Sequence, residues 1–158
     1  MSKVHKLYEK QTMPERCLKG DVIGRRYTEI RNLETYLYQN GITILKFFLH
    51  LSPEEQARRF LKRIDDERKN WKFTPSDIRE RAYWDDYMEA YQLVISHTAT
   101  HHVPWYVIPA DQKWYARCLI SEIVCDTMKK MNPQYPELSE ENRAALQACR
   151  AQILDQTE

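Results

Sequence analysis

The chain has 158 residues, enough for one domain of ordinary size. Its 24 lysines and arginines nearly balance 23 aspartates and glutamates, which excludes a globally basic nucleic-acid-binding protein and argues against nucleic acid as a partner. With 18 aromatic residues it is too aromatic to be disordered, and its three glycines can form neither G-x-x-x-x-G-K nor G-x-G-x-x-G.

Residues 1–24 are polar and weakly periodic, and we predict a loose N-terminal arm with one helical turn. The first residues do not form a secretory signal, and no apolar run approaches the ~20 residues that a membrane span needs. We therefore predict a cytoplasmic protein without a membrane partner. The four cysteines form no C-x-x-C pair, which agrees with a reducing compartment.

The sequence from Arg25 predicts a helix followed by a strand. Apolar residues recur at three- and four-residue steps and indicate an amphipathic helix that ends at Asn40–Gly41. Residues 42–49 are rich in branched and aromatic residues and are apolar on both alternating faces apart from Thr43 and Lys46, as is typical of a central parallel strand. Ser52 and Pro53 then predict the capped start of the next helix. We expect the apolar stripe of that helix to face inward; it comprises Ala57, Phe60, Leu61 and Ile64.

The second half of the chain repeats this alternation. Residues 65–73 predict a loop, and Thr74–Pro75 opens a long helix that reaches about Thr98. Residues 105–108 lie between two prolines and predict a second short strand. Two further helices follow, one over about 113–131 and a more polar one that begins after a capping serine, Ser139.

The predicted order is α-β-α-α-β-α-α, an α/β fold that is mostly helical and has two strands. Two buried-type strands do not make a self-sufficient sheet, since independent stability usually takes three or more. The residues alone therefore predict the later part of an α/β domain. The sheet edge expected of such a part favours self-association.

A basic stretch from Arg58 to Lys72 is the first candidate site. It contains seven lysines and arginines against three acids. Arg58 with Lys62, and Arg59 with Arg63, lie four residues apart and project from one helix face. Because clustered cations repel one another, a bound anion would relieve that repulsion, and arginine forks suit phosphate oxygens. The alternative is an ordinary solvated face.

The second candidate is the loop of residues 109–115, directly after the second predicted strand. In open α/β sheets ligands bind beyond the carboxyl ends of strands, so a carboxylate, a lysine and two aromatic rings here suit a nucleotide. The alternative is that Asp111 caps the following helix. The histidines of residues 97–102 lack the ligand spacing of a metal site, and we predict neither a metal site nor a catalytic residue in the chain.

Several motifs together resemble the second family of polyphosphate kinases. They are Asn70-Trp71-Lys72-Phe73, Trp84-Asp85-Asp86-Tyr87, and the run from Pro109-Ala110-Asp111 to Lys113-Trp114-Tyr115. The match covers about residues 25–136 and implies a partial domain with a lid over 53–98, followed by a tail helix over 137–158. The implied fold is the C-terminal part of a P-loop-kinase-like, three-layer parallel-sheet domain.

The resemblance also implies an activity, which is phosphoryl transfer between inorganic polyphosphate and a nucleotide with Mg²⁺. Polyphosphate and nucleotide would then be the partners. The implied phosphate contacts of the lid are Arg59, Lys62, Arg63, Lys69 and Lys72. The implied nucleotide-side loop contains Asp111, Lys113, Trp114 and Tyr115.

The sequence departs from the family pattern because the Walker A and Walker B segments are absent, so we expect the Mg²⁺ ligands to lie outside this chain. Positioning and charge neutralisation are nearly the whole of phosphoryl-transfer catalysis. We therefore expect a truncated kinase with little or no turnover by itself. Two alternatives stay open. One is a non-catalytic module that binds polyphosphate or a full-length kinase subunit, and the other is a small helical protein that binds nucleic acid.

Overall fold

A computed structural model describes residues 7–10 and 12–156. Parts of the predicted N-terminal arm, residues 1–6 and 11, lie outside the described residues. In chain order the described elements are α1 (Glu15–Leu18), α2 (Val22–Gln39), β1 (Lys46–His50), α3 (Pro53–Ile64), α4 (Pro75–Arg81), α5 (Trp84–Thr98), β2 (Trp105–Pro109), α6 (Lys113–Met131) and α7 (Glu140–Asp155), with 3₁₀ turns at Leu7–Lys10 and Asn70–Lys72.

Helix α2 begins at Val22, three residues before its predicted start at Arg25. The cap is Asp21, whose Oδ1 accepts a hydrogen bond from Gly24 N at 2.9 Å. A Cβ on residue 24 would collide with this carboxylate, so glycine permits the cap. The first turn of α2 thus belongs to the stretch that was predicted as a loose arm.

The sheet consists of β1 and β2, which pair in parallel from Lys46↔Trp105 to His50↔Pro109. Strand β1 therefore starts four residues later than predicted. The reason lies in its partner strand, because Pro104 precedes Trp105 and has no N–H to extend the ladder. The described chain is mostly helical with one two-stranded parallel sheet, which confirms the predicted α/β class.

The long helix predicted over 74–98 is two helices, α4 and α5, which are separated at Ala82–Tyr83. Both residues donate their backbone N–H three positions back, which closes α4. Helix α4 is attached to α3 through Arg81, whose Nη1 donates to Pro53 O at 3.0 Å and to Gln56 Oε1 at 2.7 Å. Since neither glycine nor proline stands at the break, the sequence carried no signal for it.

The apolar core of the described chain is small. The buried apolar residues are Val22, Ala90, Val103, Ile108, Ala110 and Ala116. Phe60 is half-buried as predicted, but Leu61 is 60% and Ile64 45% exposed, so the predicted inner face of α3 was wrong for these two. The core therefore centres on β2 and the helices that flank it.

A polar network joins the amino ends of the two strands. Lys46 Nζ donates to Glu34 Oε2 and to Thr98 O, each at 2.8 Å. Trp105 Nε1 donates to Thr98 Oγ1 at 2.9 Å, and Thr98 is fully buried. Since α2, α5, β1 and β2 each supply one member, the network ties these four elements together.

The described residues form two compact units that divide between Ile120 and Ser121. In the second unit, Ser139 Oγ caps α7 by accepting from Asn142 N at 3.2 Å, as predicted from the sequence. The predicted domain limits at 25 and 136 stay a prediction.

Candidate anion-binding site

A cleft of about 390 Å³ lies beyond the carboxyl ends of β1 and β2, between the start of α3 and the start of α6. This is the edge at which ligands bind in open α/β sheets. Five cationic side chains line the cleft: Arg58, Arg59, Lys62, Lys113 and Arg117. The remaining lining residues are Glu55, Asp111, Gln112 and Trp114.

Hydrogen bonds fix the start of α3 to the loop after β2. Asp111 Oδ1 accepts from Ser52 N at 2.8 Å. Ser52 Oγ in turn caps α3 by accepting from Glu55 N at 3.1 Å, which confirms the predicted cap. The Asp111 carboxylate therefore holds the start of α3.

A buried carboxylate, Glu55, organises two arginines at this edge. Its Oε1 accepts from Arg59 Nε at 2.7 Å and its Oε2 from Arg58 Nε at 2.6 Å. Arg59 Nη2 continues to Ala110 O at 2.7 Å and to Asp111 O at 3.3 Å. These hydrogen bonds form a network that joins the first turns of α3 to the end of β2 and the loop after it.

Both carboxyl groups of the cleft are held in their ionised form. The hydrogen bond from Arg59 is the main cause that lowers the pKa of Glu55, with Arg58 adding to it against the opposing effect of burial. The backbone N–H of Ser52 is the main cause that lowers the pKa of Asp111. Even so, five cations outnumber two carboxylates, and the cleft is positively charged.

Three of the cations are left over for a ligand. Lys62, Lys113 and Arg117 line the cleft and form no salt bridge with any residue in the described part of the chain. Cations clustered in this way attract a polyanion, and the cleft is open enough to admit one. The arrangement can therefore hold phosphate groups.

The structure brings together five of the residues that the sequence singled out. Arg59 and Lys62 of the basic stretch meet Asp111, Lys113 and Trp114 of the second candidate loop in one cleft. Parts of the two candidate sites predicted from the sequence therefore line a single cleft.

The other four predicted residues lie elsewhere. The Arg63 guanidinium lies 5.7 Å from the Phe60 ring centroid, and Lys72 Nζ lies 4.9 Å from the Trp71 ring. Lys69 is paired with Asp66 at 2.5 Å. Tyr115 does not itself line the cleft, and its ring makes a T-shaped contact with the ring of Trp114, which does. Their contacts with phosphate or nucleotide stay a prediction.

Sequence reasoning missed three members of the cleft. Arg58 was counted in the basic stretch but not chosen, and Arg117 was not considered. A signal for Arg117 was present, since it lies four residues after Lys113 and so shares its helix face. Glu55 was not among the predicted site residues, because its burial depends on contacts with Arg58 and Arg59 that the sequence does not show.

The cleft does not supply a magnesium site. Among the described residues, no group of three or more His, Cys, Asp or Glu side chains could hold a metal ion. The Glu55 oxygens and one Asp111 oxygen already accept hydrogen bonds. The cleft residues therefore do not fit Mg²⁺. The described helices also include none with the length and apolarity needed to cross a membrane.

Comparison with known proteins extends these findings. The family model for polyphosphate kinase 2 (PPK2) matches residues 16–136. An ADP-polyphosphate phosphotransferase of Rhodopseudomonas palustris is 49% identical over 130 residues, which are 82% of this chain and 45% of that protein. The uncharacterized protein in the chlN 3′ region of Leptolyngbya boryana is 49% identical over 122 residues, 77% of this chain and 90% of that protein.

A solved structure agrees with the sequence matches. The crystal structure of polyphosphate kinase 2 from Arthrobacter aurescens TC1 superposes with a TM-score of 0.72 at 38% identity, over 83% of this chain and 46% of that one. The described chain accordingly has part of the α/β fold of P-loop-kinase-like enzymes, with a cationic cleft at its strand ends. The chain belongs to the polyphosphate kinase 2 family. It spans about half the length of the phosphotransferase and of the solved kinase that it matches.

Proposed function

We propose that this chain forms the polyphosphate-binding part of a phosphotransferase that moves phosphoryl groups between inorganic polyphosphate and a nucleoside phosphate. The observation that carries the proposal is the cluster of five cations around one cleft at the strand ends. Family membership supports the substrate class, since relatives are ADP-polyphosphate and AMP/ADP-polyphosphate phosphotransferases.

Each part of the cleft suits one part of such a substrate. Lys62, Lys113 and Arg117 would neutralise phosphate oxygens, and Arg58 and Arg59 would add the guanidinium N–H groups that Glu55, Ala110 and Asp111 leave unbonded. Trp114 is 70% exposed beside these cations and offers a ring face for stacking on a nucleobase. Asp111 would act indirectly, by holding the start of α3.

The residues outside the cleft would form a second contact zone. In the family arrangement they belong to a lid over residues 53–98, and Arg63, Lys69 and Lys72 would meet the phosphate chain there. Lys69 would have to exchange its Asp66 carboxylate for phosphate oxygens. The proposal thus assigns one phosphate contact to the cleft and a second contact to Arg63, Lys69 and Lys72.

We further propose that the chain binds polyphosphate without turning it over by itself. Its described cleft supplies charge and hydrogen-bond donors, whereas phosphoryl transfer also needs metal-assisted neutralisation of the transferred group. The metal ligands would come from the part of the fold outside the matched half. A cytoplasmic location stays a prediction from the sequence.

Binding is tested by titrating the purified chain with inorganic tripolyphosphate at two salt concentrations. We expect Lys62→Ala and Lys113→Ala each to weaken binding severalfold and to flatten its salt dependence, because each removes one cation from the ligand. The matched control is Lys130→Ala, an exposed lysine of the same helix as Lys113 that lies outside the cleft. Equal losses in all three variants would contradict the proposed site.

Turnover is tested separately by a coupled assay with polyphosphate, ADP or GDP, and Mg²⁺. We expect no phosphorylation above background from the chain alone. Robust turnover would refute the binding-only proposal.

A non-catalytic module that binds a full-length kinase subunit is the second candidate, because Leu49 and Val107 leave more than half of their surface exposed on the two strands. Co-purification with such a subunit, without polyphosphate binding, would favour it.

A further inference from the structure

Two acidic residues begin α3, and their surroundings differ. Glu54 and Glu55 both lie in the first turn, where a negative charge stabilises the helix. Glu54 is exposed, as such residues usually are. Glu55 is only 8% exposed, although burial of a carboxylate costs free energy unless it is paired. The helix dipole explains the presence of both acids, but it does not explain why one of them is buried.

The contacts of Glu55 point to a role in arranging cations. Each of its two oxygens takes a different guanidinium, through Arg58 Nε and Arg59 Nε. Arg59 is anchored a second time on Ala110 O. Arg58 still has 73% of its side chain exposed and lines the cleft. One carboxylate therefore restricts the motion of two long side chains.

We propose that Glu55 is a positioning residue, which holds Arg58 and Arg59 in the arrangement that a phosphate chain meets on entering the cleft. This inference rests on the proposed polyphosphate-binding function. A flexible arginine loses rotamer freedom when it binds a ligand, whereas an arginine that is already anchored loses less of it. Preorganisation therefore raises affinity without adding any contact to the ligand.

A purely electrostatic role for Glu55 predicts the opposite effect on affinity. Its negative charge offsets part of the positive potential of the cleft, so removal of that charge alone would strengthen the attraction of a polyanion. Positioning predicts that the same removal weakens binding. The sign of one affinity change thus decides between the two roles.

The experiment compares Glu55→Gln with Glu54→Gln by calorimetric titration with inorganic tripolyphosphate. Both variants remove one negative charge from the same helical turn. We expect Glu55→Gln to bind about tenfold more weakly, which corresponds to the loss of one charge-assisted hydrogen-bond arrangement. We expect Glu54→Gln to bind at least as tightly as the wild type. Tighter binding by Glu55→Gln would overturn the inference.

Glu55→Asp separates charge from reach. It keeps the carboxylate but shortens the side chain by one methylene, so that it can no longer meet both guanidiniums. We expect weaker binding here as well, and wild-type affinity would overturn the inference. In an Arg58→Gln background the effect of Glu55→Asp should shrink, because one of the two positioned groups is gone. An equal effect in both backgrounds would count against positioning, and this comparison serves if Glu55→Gln fails to fold.

The same titrations distinguish this inference from the function on which it rests. If the wild-type chain does not bind tripolyphosphate, the proposed function and the inference fall together. If the wild type binds and Glu55→Gln binds more tightly, only the positioning role falls. Thermal melts of each variant confirm that affinities are measured on folded protein.

Discussion

Two buried glutamates in this chain hold cations with opposite consequences. Glu34 meets one ammonium group, Lys46, and both side chains are 11% exposed. Since Lys46 Nζ also donates to Thr98 O, this pair is satisfied internally and offers nothing to a ligand. Glu55 instead meets two guanidiniums in a cleft with three further cations, so the positive charge there exceeds what the protein neutralises. Structural and binding roles thus differ in charge balance rather than in residue type.

Replacement of Lys46 by methionine should destabilise the fold strongly. The variant leaves the buried Glu34 carboxylate without its partner, and such losses cost about 3 kcal/mol or more. Urea denaturation measures the effect. The control is Lys19→Met, which breaks the exposed Lys19–Glu15 pair and should cost less than about 0.5 kcal/mol. Similar losses of unfolding free energy in the two variants would show that burial of the Lys46–Glu34 pair does not add to its contribution to stability.

Asp66 provides a test of local electrostatics by pH. The hydrogen bond from Arg68, followed by that from Lys69, lowers the pKa of this carboxyl from 3.8 to about 2. Because the pKa is lower in the folded state, the interaction stabilises the fold above the unfolded pKa and is lost as the pH falls toward about 2. NMR titration of the Asp66 carboxyl carbon should give this low midpoint.

Arg68→Ala should raise the Asp66 midpoint toward its ordinary value, because it removes the largest cause of the shift. Lys69→Ala should raise it by a smaller amount. An unchanged midpoint in Arg68→Ala would mean that the contact does not persist in solution.

At the scale of elements, the chain breaks between α4 and α5, and α4 is hydrogen-bonded to α3. Two hydrogen bonds from Arg81 attach α4 to the first turn of α3, which is also the helix that carries the arginines of the cleft. Tyr87 of α5 bonds back to Glu80 of α4 at 2.6 Å, so the two short helices stay in contact across the break. The segment predicted as a lid is thus built from short pieces joined by side chains.

Arg81→Ala should release α4 from α3. We expect hydrogen exchange in residues 75–81 to become faster by at least about tenfold, since each hydrogen bond from a charged donor contributes about 1.5–3 kcal/mol. The control is Arg79→Ala, an exposed arginine of the same helix that makes no hydrogen bond with the described residues outside its backbone. If both variants exchange equally fast, the helix is held by its backbone alone.

At the scale of the whole molecule, local signals predicted most elements, and contacts between distant residues explain the failures. The Ser52 and Ser139 caps were predictable because a cap needs only neighbouring residues. The break at Ala82–Tyr83 was not, since Arg81 bonds to residues 25 and 28 positions away. The cleft was half predictable for the same reason: its cations are visible in the sequence, but the burial of Glu55 depends on how α3 meets β2.

The two-stranded sheet also exposes apolar side chains on both of its faces. Val107 neighbours Ile108, the partner of Leu49, so Leu49 and Val107 point to opposite faces of the two strands. They are 53% and 54% exposed. Parallel strands are normally covered on both faces, and a two-stranded sheet also leaves one edge of each strand unpaired. This surface therefore favours contact with further protein.

We expect the isolated chain to self-associate through this sheet as its concentration rises. In sedimentation velocity, Leu49→Lys should stay closer to the monomer than the wild type, because a lysine on an edge strand opposes strand-to-strand contact. The control is Leu146→Lys, which places the same charge on helix α7 at a residue of nearly equal exposure, 54% against 53% for Leu49. A wild type that remains monomeric throughout would contradict the expectation. Loss of association in Leu146→Lys alone would assign the contact to α7 instead of the sheet.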